Sequence, residues 1–114
     1  MLPKNFLLKD LQAPVIEGHT RSEGWRRLQL KNIQNILDEH EKEIINVLNR
    51  DLAKPSTEGF FELIALRQEL KIAQENLKKW IQPQKIKIPI ALNPGSAFIQ
   101  HEPLGCVLII GPWN

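Results

Sequence analysis

Cysteine is nearly missing from this chain, and one residue, Cys106, excludes an internal disulfide. A lone cysteine fits a reducing compartment, and the expectation is cytoplasmic. Charge of one sign is equally scarce: 15 basic and 13 acidic residues leave a net +2, too little to argue for a nucleic-acid partner or an anionic membrane. No run reaches the ~18 apolar residues that a membrane span needs. The start has no long apolar core with a small-residue cleavage site, so a secretory signal is not supported. His19, His40 and His101 are scattered, no Cys/His pair has zinc spacing, and no metal site is expected. No Gly-x-Gly-x-x-Gly follows any strand-like run. Internal repeats and low-complexity tracts are absent.

What remains is ordinary globular material, 42% hydrophobic and 25% charged, enough for one domain or part of one. Residues 4–17 predict a short helix that Pro14 should kink or end, since proline lacks the amide a helix interior needs. Thr20 and Ser22 are candidate N-caps for a second helix. Trp25, Leu28, Ile33, Ile36, Leu37, Ile44, Val47, Leu48 and Leu52 recur at close to 3.6 residues. That stretch is long for one helix, and Asp38-Glu39-His40-Glu41 offers capping carboxylates in its middle, so two helices are expected, 22–39 and 40–53. Ser56 or Thr57 should cap a further helix. In it Leu63, Leu66, Leu70, Ala73, Leu77 and Trp80 form a seam that ends at Pro83. The seam packs either against the preceding helices as a hairpin or against another chain as a coiled coil.

After Pro83 the pattern changes to alternation. Lys85-Ile86-Lys87-Ile88 and residues 97–102 read as strands around the turn signal Asn93-Pro94-Gly95. Residues 106–110, wholly apolar between Gly105 and Gly111-Pro112, read as a strand buried on both faces, as in a parallel sheet. A parallel strand needs neighbours and a crossover, which this chain does not go on to supply, so it reads as cut short there. Ligands of open α/β sheets sit beyond the carboxyl ends of such strands, where Gly111-Pro112-Trp113-Asn114 would lie.

The closing stretch Glu-Pro-Leu-Gly-Cys-Val-Leu-Ile-Ile-Gly-Pro-Trp-Asn, residues 102–114, resembles the start of the cofactor domain of aldehyde dehydrogenases of the class 3-like branch. Gly18-His19-Thr20-Arg21, the helical run through Leu30 and Ile36-Leu37, and Asp51-Leu52-Ala53-Lys54 also fall where that branch has similar residues. The resemblance implies an α+β amino-terminal fragment of a longer α/β enzyme. Residues 1–83 would be its helical region and 84–104 part of a sheet that joins subunits. Residues 105–114 would begin a truncated NAD(P)-binding domain, with 106–110 as its first parallel strand. It further implies an aldehyde substrate, NAD or NADP as cofactor of the complete enzyme, a homodimer, and no tight cofactor binding by the fragment alone.

Asn114 is the sharpest candidate for chemistry. Its amide can donate to a carbonyl oxygen becoming an oxyanion, which the resemblance makes its catalytic role; on composition alone the favoured reading is a turn-type residue at a frayed end. Ile110, Pro112 and Trp113 match positions lining the cofactor and substrate side of the loop, with a core anchor as the other reading of Trp113. Cys106, inside the apolar run without a flanking base or cation, reads as a small hydrophobe. The family's nucleophilic Cys and general-base Glu have no counterpart here, so the chain alone is expected to be inactive. The rival reading is a non-enzymatic helical interaction module using the seam from Leu63 to Trp80.

Overall fold

The computed structural model describes residues 8–111. Four α-helices come first: α1 (Leu8–Ile16), α2 (Glu23–Glu39), α3 (Glu41–Leu52) and α4 (Ser56–Ile81). Two short strands, β1 (Gln84–Ile86) and β2 (Ala97–Ile99), come after them, with a 3-10 turn at Ile90–Leu92 between. The chain divides into two compact units. One is Arg26–Trp80; the other combines the described residues up to Trp25 with those from Ile81 onward.

The first unit is a helical hairpin built on leucine. Leu37 of α2 and Leu63 and Leu70 of α4 are buried together, and Leu30, Ile44 and Ile45 pack against them. Each such side chain contributes about 1.5–3 kcal/mol by leaving water. The seam of α4 therefore turns inward on its own chain, which sets aside the coiled-coil reading. Its buried line is also narrower than the spacing suggested. Leu63, Leu70 and Leu77, two turns apart, are buried, whereas Leu66 and Trp80 stay exposed, because a single layer of helices covers only one stripe of α4.

Gly59 lies on that stripe, one turn before Leu63, and it is buried. A Cβ there would stand 3.5 Å from a Leu48 methyl and 3.7 Å from Ile45, ordinary contact distances, so α4 lies against α3 at this point with room for a methyl but not for a larger side chain. The junction before α4 is tied by Asn49, whose Nδ2 donates to the Lys54 carbonyl at 2.9 Å, and by an ion pair between Lys54 and Glu62. Ala53 turns the chain there in a left-handed conformation, φ 53°. The first bonds of α4 go to the Pro55 carbonyl, from Glu58 at 3.0 Å and Gly59 at 3.1 Å. Ser56 and Thr57, expected as caps, instead lie inside the helix.

The break between α2 and α3 falls at His40, as the sequence implied. The carboxylates around it do not cap α3: His40 precedes the helix without a side-chain cap bond. Asp38 and Glu41 turn to Arg67 of α4 instead. The hydroxyl cap is Ser22, whose Oγ accepts from the Trp25 amide at 3.1 Å.

In the second unit, α1 runs through Pro14 rather than stopping at it. The helix ends at Gly18, φ +82°, where the His19 amide reaches the Pro14 carbonyl at 2.9 Å and the Gly18 amide reaches Val15 at 3.1 Å. Glycine adopts that left-handed turn without steric cost, and the paired bonds satisfy the last carbonyls. Strands β1 and β2 pair antiparallel, with Gln84 opposite Ile99, Lys85 opposite Phe98 and Ile86 opposite Ala97. Both are shorter than the alternation suggested.

The expected strand at 106–110 is not formed in this chain. Strand-forming composition is local, but a strand exists only through bonds to a neighbour, and no described segment pairs with this one. The fold is therefore that of an α+β chain, four helices and one antiparallel ribbon among the described residues.

Candidate functional site

The segment the sequence marks out begins at Pro103, turns at Gly105 (φ +85°), and continues without regular structure through residues 106–110. Ile110, the one described member of the expected cofactor-lining set, is 82% exposed. Asn114, the expected oxyanion donor, and Pro112 and Trp113 lie outside the described residues. Cys106 is a free thiol and exposed, which corrects its reading as a hydrophobe inside a buried strand. No hydrogen-bond or ion-pair partner among the described residues activates it. The side chains of residues 104–110 are aliphatic apart from that thiol, so none can pair with a ribose or a pyrophosphate.

Polar organisation is found elsewhere, at Arg67. It follows Leu63 by four residues and precedes Leu70 by three, so its stem lies beside the buried stripe. Its head reaches the α2–α3 break. Nη2 stands 2.8 Å from Glu41 Oε2 and 3.1 Å from Asp38 Oδ1, Nε is 3.2 Å from the same Asp38 oxygen, and Nη2 also donates to the Leu37 carbonyl at 3.0 Å. The hydrogen bond to Glu41, and then that to Asp38, raises the Arg67 pKa further above its ordinary value against some loss of solvation. Sequence reasoning passed over Arg67. The available signal was a single arginine between two leucines of the buried line.

Beside it a cleft of about 220 Å³ is lined by Gln34, Arg67, Leu70, Lys71 and Gln74. Gln74 donates to Gln34 at 3.0 Å, and Arg27 donates to the Gln74 carbonyl at 3.0 Å. A more open groove of about 420 Å³ runs between Ile36, His40, Glu43, Ile44, Val47 and Leu48, with His40 Nδ1 3.0 Å from Glu43 Oε2. Neither lining combines a thiol or hydroxyl nucleophile with a base. Among the described residues no three His, Cys, Asp or Glu side chains gather around a common point, and no helix is long and apolar enough to cross a membrane.

Against known families, the profile described as "Aldehyde dehydrogenase family" matches residues 19–114.

The chain belongs to the aldehyde dehydrogenase family.

Its relatives place it in the class 3-like branch of these oxidoreductases. It is 42% identical to aldehyde dehydrogenase family 3 member H1 of Arabidopsis thaliana over 95% of this chain and 22% of that protein. Family 3 member I1, chloroplastic, of the same plant is 39% identical over 96% of this chain and 20% of its own length. Family 3 member B1 of Mus musculus is 37% identical over 94% and 23%. The chain spans about a fifth of the length of these dehydrogenases. Membership in this family favours the reading as a piece of an aldehyde dehydrogenase over that as a helical interaction module.

Proposed function

We propose that these 114 residues are the amino-terminal part of an NAD(P)-dependent aldehyde dehydrogenase that oxidises an aldehyde to a carboxylate. The observation that carries this is the family match, which extends to Gly111-Pro112-Trp113-Asn114. Residues 1–83 are the helical region, 84–104 contribute to the sheet that joins two subunits, and 105–114 begin the cofactor domain. In the complete enzyme, 106–110 pair with neighbouring strands as the first parallel strand. This accounts for an aliphatic run that 114 residues alone leave in water.

In that setting the Asn114 amide donates to the aldehyde oxygen as it gains charge during attack by a thiolate that the remainder of the enzyme supplies. The bond strengthens towards the transition state, so it favours turnover over substrate binding. Ile110, Pro112 and Trp113 line the cofactor and substrate side of the loop. A nicotinamide dinucleotide, NAD or NADP, supplies the hydride acceptor when bound by the complete enzyme. The enzyme is a cytoplasmic homodimer. Without a thiolate and a general base placed around Asn114, the chain by itself turns nothing over.

A chimaera tests this. These 114 residues replace the matching residues of family 3 member H1 from Arabidopsis thaliana, and reduction of NAD or NADP is followed with an aldehyde present. The chimaera should be active and the 114 residues alone silent. A folded, cofactor-binding chimaera without activity, or turnover by the short chain alone, would overturn the proposal.

A further inference from the structure

We propose that α2 and α3 also form one unbroken helix, residues 23–52, and that in this form two copies of the chain exchange everything before His40, each copy's α2 settling on the other's α4. The break is a single residue wide, between Glu39 and Glu41. Helical bonding runs up to it from both sides. The His40 amide donates to the Ile36 carbonyl at 3.0 Å, and the Ile44 amide to the His40 carbonyl at 2.9 Å. No main-chain bond joins the amides of residues 41–43 to the carbonyls of 37–39. An unbroken helix makes those bonds, and residues 38–43 contain neither glycine nor proline to oppose it. A copy that straightens takes Leu30 and Leu37 away from its own Leu63 and Leu70; a second copy offers the same leucines in the same places.

The straight form also aligns a face that the break divides. At helical spacing Ile33, Ile36, His40, Ile44 and Val47 fall in one line, seven and four residues before His40 and four and seven after it. Ile33, Ile36 and Val47 are exposed in this chain, by 41%, 54% and 39%. Ile36, His40, Ile44 and Val47 already share the open groove of about 420 Å³. The line reads the same in both directions. Two such helices crossing antiparallel at His40 therefore set Ile36 against Ile44 and Ile33 against Val47. That two-fold contact uses one patch on both copies and closes as a dimer rather than growing. A second copy is thus the occupant on two counts, the leucines that receive α2 and the symmetric line about His40. The exchange rests on the helices alone and does not depend on the dehydrogenase reading.

The test holds the 114-residue chain at high concentration, dilutes it, and reads its mass by light scattering behind a sizing column. Wild type should give separate monomer and dimer peaks that interconvert slowly, since exchange requires the hairpin to open. His40→Ala favours helix at the break in both copies and should raise the dimer-to-monomer ratio about tenfold, whereas His40→Gly should lower it about threefold. I36K sets a charge against Ile44 from an exposed position, so it should remove the dimer and leave helical circular dichroism unchanged. Exchange is told from ordinary association by Gln34 and Gln74, whose amides meet at 3.0 Å. With Cys106→Ser, Gln34→Cys and Gln74→Cys combined, a short bismaleimide takes up one thiol at each alkene. On a denaturing gel it should join two copies from the dimer peak and only link a copy to itself from the monomer peak. A chain that stays monomeric even as His40→Ala, a dimer that persists in I36K, or a dimer whose links all stay within single copies would overturn the proposal.

Discussion

Arg67 Nη2 donates to the main-chain carbonyl of Leu37 at 3.0 Å, so a side chain from the middle of α4 serves the last turn of α2. That carbonyl lacks a helical partner because the chain leaves the helix at His40, and every helix end strands its final carbonyls. The same guanidinium holds Asp38 and Glu41 on the two sides of the break. The break is therefore closed from outside, by a residue 30 positions away in sequence.

Removing Arg67 should lower stability out of proportion to its partial exposure. Arg67→Ala leaves the Leu37 carbonyl and two carboxylates without their shared donor. Arg67→Lys restores a charge but not the fork, and it should fall between Ala and wild type. Thermal unfolding followed by circular dichroism is the measurement, with a loss of several degrees expected for Ala. Added salt should narrow the gap for Ala more than for Lys, because Ala loses the screened ion pairs whereas Lys mainly loses the carbonyl bond, which is not an ion pair. Equal midpoints for all three proteins would remove Arg67 from the account.

Gly59 makes opposite forecasts for small and large side chains. A Cβ there meets Leu48 and Ile45 at ordinary contact distance, and alanine favours helix over glycine by about 1 kcal/mol, so Gly59→Ala should stabilise. Gly59→Leu must push α4 off α3, at a cost of about 1–3 kcal/mol. Urea midpoints decide; a destabilising Ala variant would mean that the helices lie closer than described.

Ala53 holds φ 53° at the end of α3, a conformation that costs a residue with a Cβ roughly 1–2 kcal/mol. Ala53→Gly relieves the strain but loosens the unfolded chain, so a net gain of about 0.5–1 kcal/mol is expected. A lower urea midpoint for the glycine variant would show that the strain is not there to relieve.

In the complete enzyme Asn114→Ala should reduce kcat by ~10²–10³, the usual cost of one lost oxyanion donor. Cofactor affinity should change little. Asn114→Asp should be at least as damaging, since a carboxylate repels the developing charge. Steady-state kinetics with cofactor titration separates the two roles. Weak cofactor binding with near-normal kcat at saturation would make Asn114 a loop-shaping residue.

The helices were legible because their signal is periodic and redundant. Leu63, Leu70 and Leu77 announce one face of α4 whatever packs on it, and His40 with its acidic neighbours announced a break. What the acidic neighbours do there was not legible, since Asp38 and Glu41 look like caps until α4 is folded beside them and Arg67 arrives. Pro14 misled in a similar way: its missing amide argued for an end, but the terminus is set further along, by the paired bonds around Gly18. At 106–110 the residues spell strand correctly as a preference, yet preference without a neighbour leaves irregular, wetted chain. The closing motif was legible by resemblance alone, because an amide at Asn114 has no chemistry until other groups surround it.

The gap at His40 also has a mechanical side. Residues 23–52 carry one nearly unbroken helical pattern, and a chain with that pattern can straighten into a single rod when nothing holds the joint. Arg67 works as a latch on that joint, and the angle between the two arms is held by one side chain through three partners, Leu37, Asp38 and Glu41. Unlatching would swing Leu30 and Ile44 away from the same leucines at once, so the hairpin should come apart as one piece rather than fray from its ends.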